Sequence, residues 1–266
     1  MTESATAAGS GELSRPAGST YQPHLRPLGF GEILDGAFVL YRRNFAAFLK
    51  LSALPLAPVL ACQLLLLAAG VKQSGAWLLL AVVGGLPGLL ASGALICATA
   101  DAYDGLPVDV RRAFATARAR FWTLLRASMV AGFAIAAALF LFIIPGIIVA
   151  VRYFAVSQTA VLEDTTPREA RHRSTHLSRG AGWLILGMMV VLTVIGRLPV
   201  LAQLVFGQWL GGGYAQSGLR PVAEQLILIL TLPLTTAAQT LLYFDRRVRV
   251  DAIDVQAAVQ RMALEG

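Results

Sequence analysis

The sequence predicts an all-α, polytopic membrane helix bundle with six transmembrane helices, interfacial amphipathic helices and both termini in the cytoplasm. Three observations support this. Six mostly apolar blocks stand at about 46–70, 77–100, 124–143, 146–163, 183–206 and 222–244, each near the ~20 residues a helix needs to cross a bilayer. Of the 22 Lys and Arg residues, only Lys72, Arg197 and Arg220 fall in one alternating set of connecting segments, and Arg152 lies inside a block. All the others flank the opposite side, and basic flanks are retained in the cytoplasm. Finally, Trp77, Trp122, Trp183 and Trp209 fall at block ends, as do Tyr41, Tyr103 and Tyr243, where an amphipathic ring favours the headgroup level.

The composition agrees. Only 14% of residues are charged and 56% are hydrophobic, with a mean hydropathy of +0.66, whereas soluble chains carry about 25% charged residues. The net charge of +7 is spread over four cytoplasmic segments without the aromatic and basic stripe of a nucleic-acid groove. Membrane lipids are the expected partners, each basic residue near an anionic surface adding roughly 1 kcal/mol of attraction; another membrane protein is the second candidate, and nucleic acid is not expected. Cys62 and Cys97 lie in apolar blocks and read as buried thiols, without a disulfide or metal framework.

Residues 1–25 are rich in Ser, Thr, Gly and Ala, with neither a basic start nor an apolar run. They read as a disordered cytoplasmic tail and not as a cleavable signal. Residues 26–250 form the expected membrane domain, and 251–266 a cytoplasmic C-terminal tail. Within the domain, Gly31–Phe45 is too charged to insert but places Ile33, Phe38, Tyr41 and Phe45 on one side of an interfacial helix. The second block carries Gly84, Gly88 and Ser92 at four-residue intervals, which invites close helix approach.

Between blocks two and three, Val110, Phe114, Ala117, Phe121 and Leu124 recur at helical spacing. That helix lies on the membrane surface or packs on the end of the bundle. From Ser128 to Leu162 the only charge is Arg152, and one helix of that length would be roughly 50 Å long, so the chain must turn; Pro145-Gly146 is the expected place. Thr166-Pro167-Arg168-Glu169 reads as an N-cap, a first-turn proline and a capping box, with Gly180 ending the helix. Pro55, Pro58, Pro87 and Pro233 predict kinked spans whose freed carbonyls need other donors.

Few residues suggest chemistry. Arg152 inside a span must face protein or water, with Glu163, Asp35, Glu32 or Glu224 as partner; it is a structural arginine or a site for an anionic substrate. Thr231, Thr235 and Gln239 form a polar stripe that either lines a pathway or bonds a neighbouring helix. Glu224 is spaced to pair with Arg220. His172, His176 and Glu169 share a helix face but lack the further ligands of a metal site. No phosphate loop, serine elbow or dinucleotide fingerprint appears, and cytoplasmic segments of about 20 residues are too short for a catalytic domain. No cofactor, metal or catalytic residue is expected.

Four stretches resemble a known family. Gly31-Glu32-Ile33-Leu34-Asp35 with Tyr41-Arg42-Arg43-Asn44-Phe45 is similar to the leading motif of the bacterial glycerophosphoryl diester phosphodiesterase membrane domain and its stand-alone relatives. So are Pro145-Gly146 with Arg152 and Glu163, the run Ala170-x-x-Arg173-Ser174-x-x-Leu177-x-x-Gly180, and Leu242-Tyr243-Phe244-Asp245-Arg246-Arg247-Val248-Arg249. Arg246 departs from the family pattern, which has an apolar residue there, and the catalytic barrel is missing. The resemblance therefore implies a multipass protein of the bacterial inner membrane that is not an enzyme. Its expected polar network is Glu32, Asp35, Arg42, Arg43, Arg152, Glu163, Arg173, Asp245, Arg247 and Arg249. The expected role is a partner or scaffold contacting lipid headgroups or another membrane protein; the alternative is a permease or flippase-like carrier of an anionic or lipidic substrate.

Overall fold

The computed structural model describes residues 29–71, 75–209 and 219–265, and these are helical without a strand. In order come α1 (Phe30–Arg43), α2 (Phe45–Ala68), α3 (Gly75–Val83), α4 (Gly85–Tyr103), α5 (Val110–Ala119), α6 (Phe121–Leu141), α7 (Ile143–Arg152), α8 (Val156–Leu162), α9 (Pro167–Leu177), α10 (Gly182–Trp209) and α11 (Leu219–Glu265). Six stretches are long and apolar enough to cross a membrane: α2, α3 with α4, α6, α7 with α8, α10, and α11 as far as Ala252. The chain is a multipass membrane protein. The expected tail over 1–25, together with Arg15, Arg26 and Lys72, lies outside the described residues.

Burial is uneven along the bundle. Phe48, Leu51, Leu95, Ile96, Leu124, Leu177, Ile185 and Tyr243 are fully buried toward one end, where α5, α8 and α9 pack against the ends of the spans; we call this the basic end. Toward the far end, Leu65, Val82, Phe133, Phe140, Ile144, Val194 and Leu201 are exposed. Lipid tails are as apolar as these side chains, so a bundle gains little by burying them.

α1 packs on α11, and its buried face is Ile33, Ala37 and Leu40. Phe38 and Phe45, expected on the same face as Ile33, are exposed instead. The separate α5 packs on α4 through Ala113 and Ala117, so the helix belongs to the bundle end. Trp122 and Trp183 stand exposed at the starts of α6 and α10.

The turn between α6 and α7 falls at Phe142, which is extended at φ −158°, and not at Pro145-Gly146. Pro145 sits in the first turn of α7, where a missing amide proton is harmless because those amides lack helical acceptors anyway. Gly146 serves closeness, not a positive φ. A Cβ there would lie 2.4 Å from Leu139 Cγ and 2.8 Å from Leu139 Cα. In the second span the tight approach is likewise displaced from the expected stripe: Gly93 meets Leu124 and Ala117, whereas Gly84 and Gly88 line a cavity.

Pro233 lies inside α11, and its ring removes the donor for the Ile229 carbonyl. Ser52 of α2 supplies it, its hydroxyl donating to Ile229 O at 2.8 Å. The next carbonyl, Leu230 O, accepts from Tyr41 Oη at 3.1 Å. Cys97 is buried, but Cys62, expected to be buried as well, is exposed on α2. α11 continues through Glu265 as a helix of 47 residues, about 70 Å long against a ~30 Å hydrocarbon core. The expected boundary at residue 250 therefore falls inside a helix.

Candidate functional site

The break between α7 and α8 lies at the basic end. Its unmet backbone groups are satisfied by one side chain: Ser174 of α9, fully buried, donates to Arg152 O at 2.9 Å and accepts from Ala155 N at 3.1 Å. α9 is positioned for this by its capping box, in which Thr166 N donates to Glu169 Oε2 at 2.7 Å and Glu169 N to Thr166 Oγ1 at 3.4 Å. The Thr166 amide holds the Glu169 carboxyl below the usual carboxylate range. Gly180, at φ 71°, turns the chain away after the helix.

Immediately before this plug in the chain, Arg173 binds Asp251 through Nη2 at 2.8 and 3.1 Å and Glu163 through Nε at 3.4 Å. Tyr243, fully buried, donates its hydroxyl to the same Glu163 oxygen at 2.7 Å. Arg247 approaches Asp251 at 3.7 Å, and Arg249 pairs with Asp245 at 2.9 Å. Arg246 is buried and donates to Leu177 O, the last carbonyl of α9, at 3.1 Å and to Arg179 O, in the turn that follows, at 2.8 Å. Beside this junction, Arg120 pairs with Asp164 and holds that carboxyl low.

The expected network is thus only partly assembled. Glu163, Arg173 and Arg247 share one cluster, with Asp245 and Arg249 as a neighbouring pair on α11. Glu32 accepts from Gly29 N at 2.7 Å at the start of its own helix, and Arg43 stands in the last turn of that helix. Asp35 and Arg42 are exposed, without a pairing to the cluster among the described residues. Arg152 enters through its carbonyl. Its guanidinium is exposed at the end of α7 and pairs with none of Glu163, Asp35, Glu32 and Glu224 among the described residues.

A second polar locus lies toward the far end. A cavity of about 1000 Å³ opens between α2, α3, α4, α10 and α11, at the upper end of ligand-cavity sizes. Thr231, Thr235 and Gln239 line it, yet the threonine hydroxyls donate to Ile227 O and Thr231 O of their own helix, not to a neighbouring one. Arg197 stands on its wall, and Glu224 pairs with Arg220 at 2.8 Å as the spacing suggests. Gln63 is 6% exposed and Gln225 9% exposed, and both line the cavity. Gln63 Oε1 and Gln225 Nε2 have no hydrogen-bond partner among the described residues. Leaving such a group unmet costs about 1–3 kcal/mol.

Tyr243, Arg246, Asp251, Gln63, Gln225 and Arg197 are absent from the expected network. Arg246 carried a usable signal, because a charge where an apolar residue is expected needs a buried partner; the two glutamines carried none, since one polar residue per span reads as packing. Among the described residues, no three His, Cys, Asp or Glu side chains gather as metal ligands. No family model, curated protein or solved structure matches this chain.

Proposed function

We propose that this chain is a non-enzymatic, multipass protein of the bacterial inner membrane, with both termini cytoplasmic, that acts as a partner or scaffold through its basic end. The observation that carries this reading is how the arginines divide. Arg173, Arg246 and Arg249 are committed to internal partners. Arg42, Arg111, Arg118, Arg126, Arg168 and Arg179 are exposed, with no carboxylate partner among the described residues. A locked junction carrying unpaired cations suits anionic headgroups or an acidic face of another membrane protein. Three of the four stretches that resemble the phosphodiesterase membrane domain meet at this junction, which supports the same reading.

The test is purification in native membrane discs followed by identification of the lipids and proteins retained. Anionic lipid enriched around the wild type and reduced in the combined R111Q, R118Q and R126Q variant is the expected result. Equal lipid composition around both, with no retained protein, overturns the proposal.

A second reading, a permease or flippase-like carrier of an anionic or lipidic substrate, is favoured by the cavity that reaches Gln239. Arg152 is not among its lining residues, and the buried junction lies beyond it. Uptake or lipid scrambling in proteoliposomes, abolished by blocking the cavity, is its required result.

A further inference from the structure

The cavity presents an unusual set of demands for a space among apolar helices. Gln63 Oε1 is an acceptor lacking a donor, and Gln225 Nε2 is a donor lacking an acceptor. Both residues are more than nine-tenths buried and line the same cavity. Polar groups in a membrane interior are satisfied by protein, by water or by a ligand, and neither amide meets a partner among the described residues.

The charge on the wall has a definite sign. Arg220 and Glu224 neutralise each other, which leaves Arg197 as the uncompensated charge among the described lining residues. The rest of the wall includes Leu78, Leu80, Val200 and Leu228, a surface for hydrocarbon. The occupant must therefore supply an anionic oxygen for Arg197, an acceptor for Gln225, a donor for Gln63 and an apolar body. We propose that the cavity binds one amphiphilic ligand whose headgroup carries both an anionic oxygen and a hydrogen-bond donor, as an anionic phospholipid with a hydroxylated headgroup does. This site lies away from the arginine face of the basic end, and it holds whether or not the ligand crosses the bilayer.

Native mass spectrometry of the detergent-purified full chain tests it with three probes. Phosphatidylglycerol has the anion, the hydroxyl donors and the tails; phosphatidylcholine has the phosphodiester anion and the tails but no donor; inorganic phosphate has the anion and a P–OH donor but no tails. The expected result is one phosphatidylglycerol retained per chain, about tenfold over phosphatidylcholine, with inorganic phosphate not retained. R197Q and Q225L each lower that retention about tenfold, and H172Q, on the exposed face of α9, leaves it unchanged. Equal retention of the two lipids overturns the proposal, as does retention of free phosphate, which would make the site one for a soluble anion. Loss of the lipid in the R111Q, R118Q and R126Q variant but not in R197Q would place it on the basic face and also overturn it. If R197Q and Q225L fail to fold, the ranking of the three probes on the wild type decides.

Discussion

The Ser52 bridge to α11 permits a quantitative test of why a proline sits inside the last span. Ser52 is fully buried, and its single hydroxyl proton has two carbonyls in reach, Ile229 O at 2.8 Å and Leu49 O at 3.1 Å. The nearer one is the carbonyl that Pro233 deprives of its helical donor. Ser52→Ala should therefore orphan a buried carbonyl, a loss of about 1–3 kcal/mol by general experience. Hydrogen bonds between membrane helices measure about 0.6 kcal/mol on average and up to about 1.7. We expect roughly 1.5 kcal/mol, near a tenfold change in the unfolding equilibrium. Pro233→Ala returns an amide proton at position 233, so Ile229 O is bonded within α11 and Ser52→Ala loses most of its effect. A double-mutant cycle by unfolding in mixed micelles should give a coupling of about 1 kcal/mol. Additivity of the two substitutions within about 0.3 kcal/mol would refute the assignment.

Three further outcomes are expected. Gly146→Ala must part α6 from α7 by roughly an ångström, because its Cβ would meet the Leu139 backbone as well as its side chain; destabilisation of about 1–3 kcal/mol and a lowered melting temperature should follow, and a neutral effect would show that the hairpin is looser. Ser174→Ala removes a donor and an acceptor together, so about 2–4 kcal/mol should be lost, with amide exchange quickened around residues 152–156; unchanged exchange there would contradict the plug. Glu169 has a lowered folded pKa through the Thr166 amide, so its contribution is fully present above the ordinary carboxylate value and fades as pH falls through the lower, folded one. The gap in unfolding midpoint between wild type and Glu169→Ala should be widest near neutral pH and vanish well below pH ~4; an equal gap at pH 3 and pH 7 would exclude this role.

How much of this was legible varied with the physics involved. Spans are read from composition because the bilayer acts on every residue of a segment, and all six apolar blocks have a helical counterpart. The Thr166 to Glu169 cap and the Arg220 to Glu224 pair were legible because their partners lie within one turn. The hairpin was legible as a necessity but not in position: Pro145 and Gly146 suit both a turn and the first turn of a close-packed helix, and only Leu139 across the gap decides between them. Long-range polar partners were the least legible. Arg173 reaches Glu163, ten residues back, at 3.4 Å, but its shorter, two-oxygen contact is with Asp251, 78 residues away. Nothing in the sequence assigns Arg246 to the carbonyls of Leu177 and Arg179, since backbone acceptors have no letter of their own.

α11 touches both polar loci with one uninterrupted rod. Gln225, Thr231 and Gln239 stand on the cavity, and Tyr243, Arg246 and Asp251 are held in the junction further along the same helix. Helical backbone is stiff over such a distance and bends sharply only at an interruption such as proline, here Pro233, which falls within the cavity-lining stretch between Thr231 and Gln239. The shaft thus has a single articulation, and the Ser52 hydroxyl is fastened one turn before it. Tilting the outer arm without disturbing the inner one would require that fastening to open.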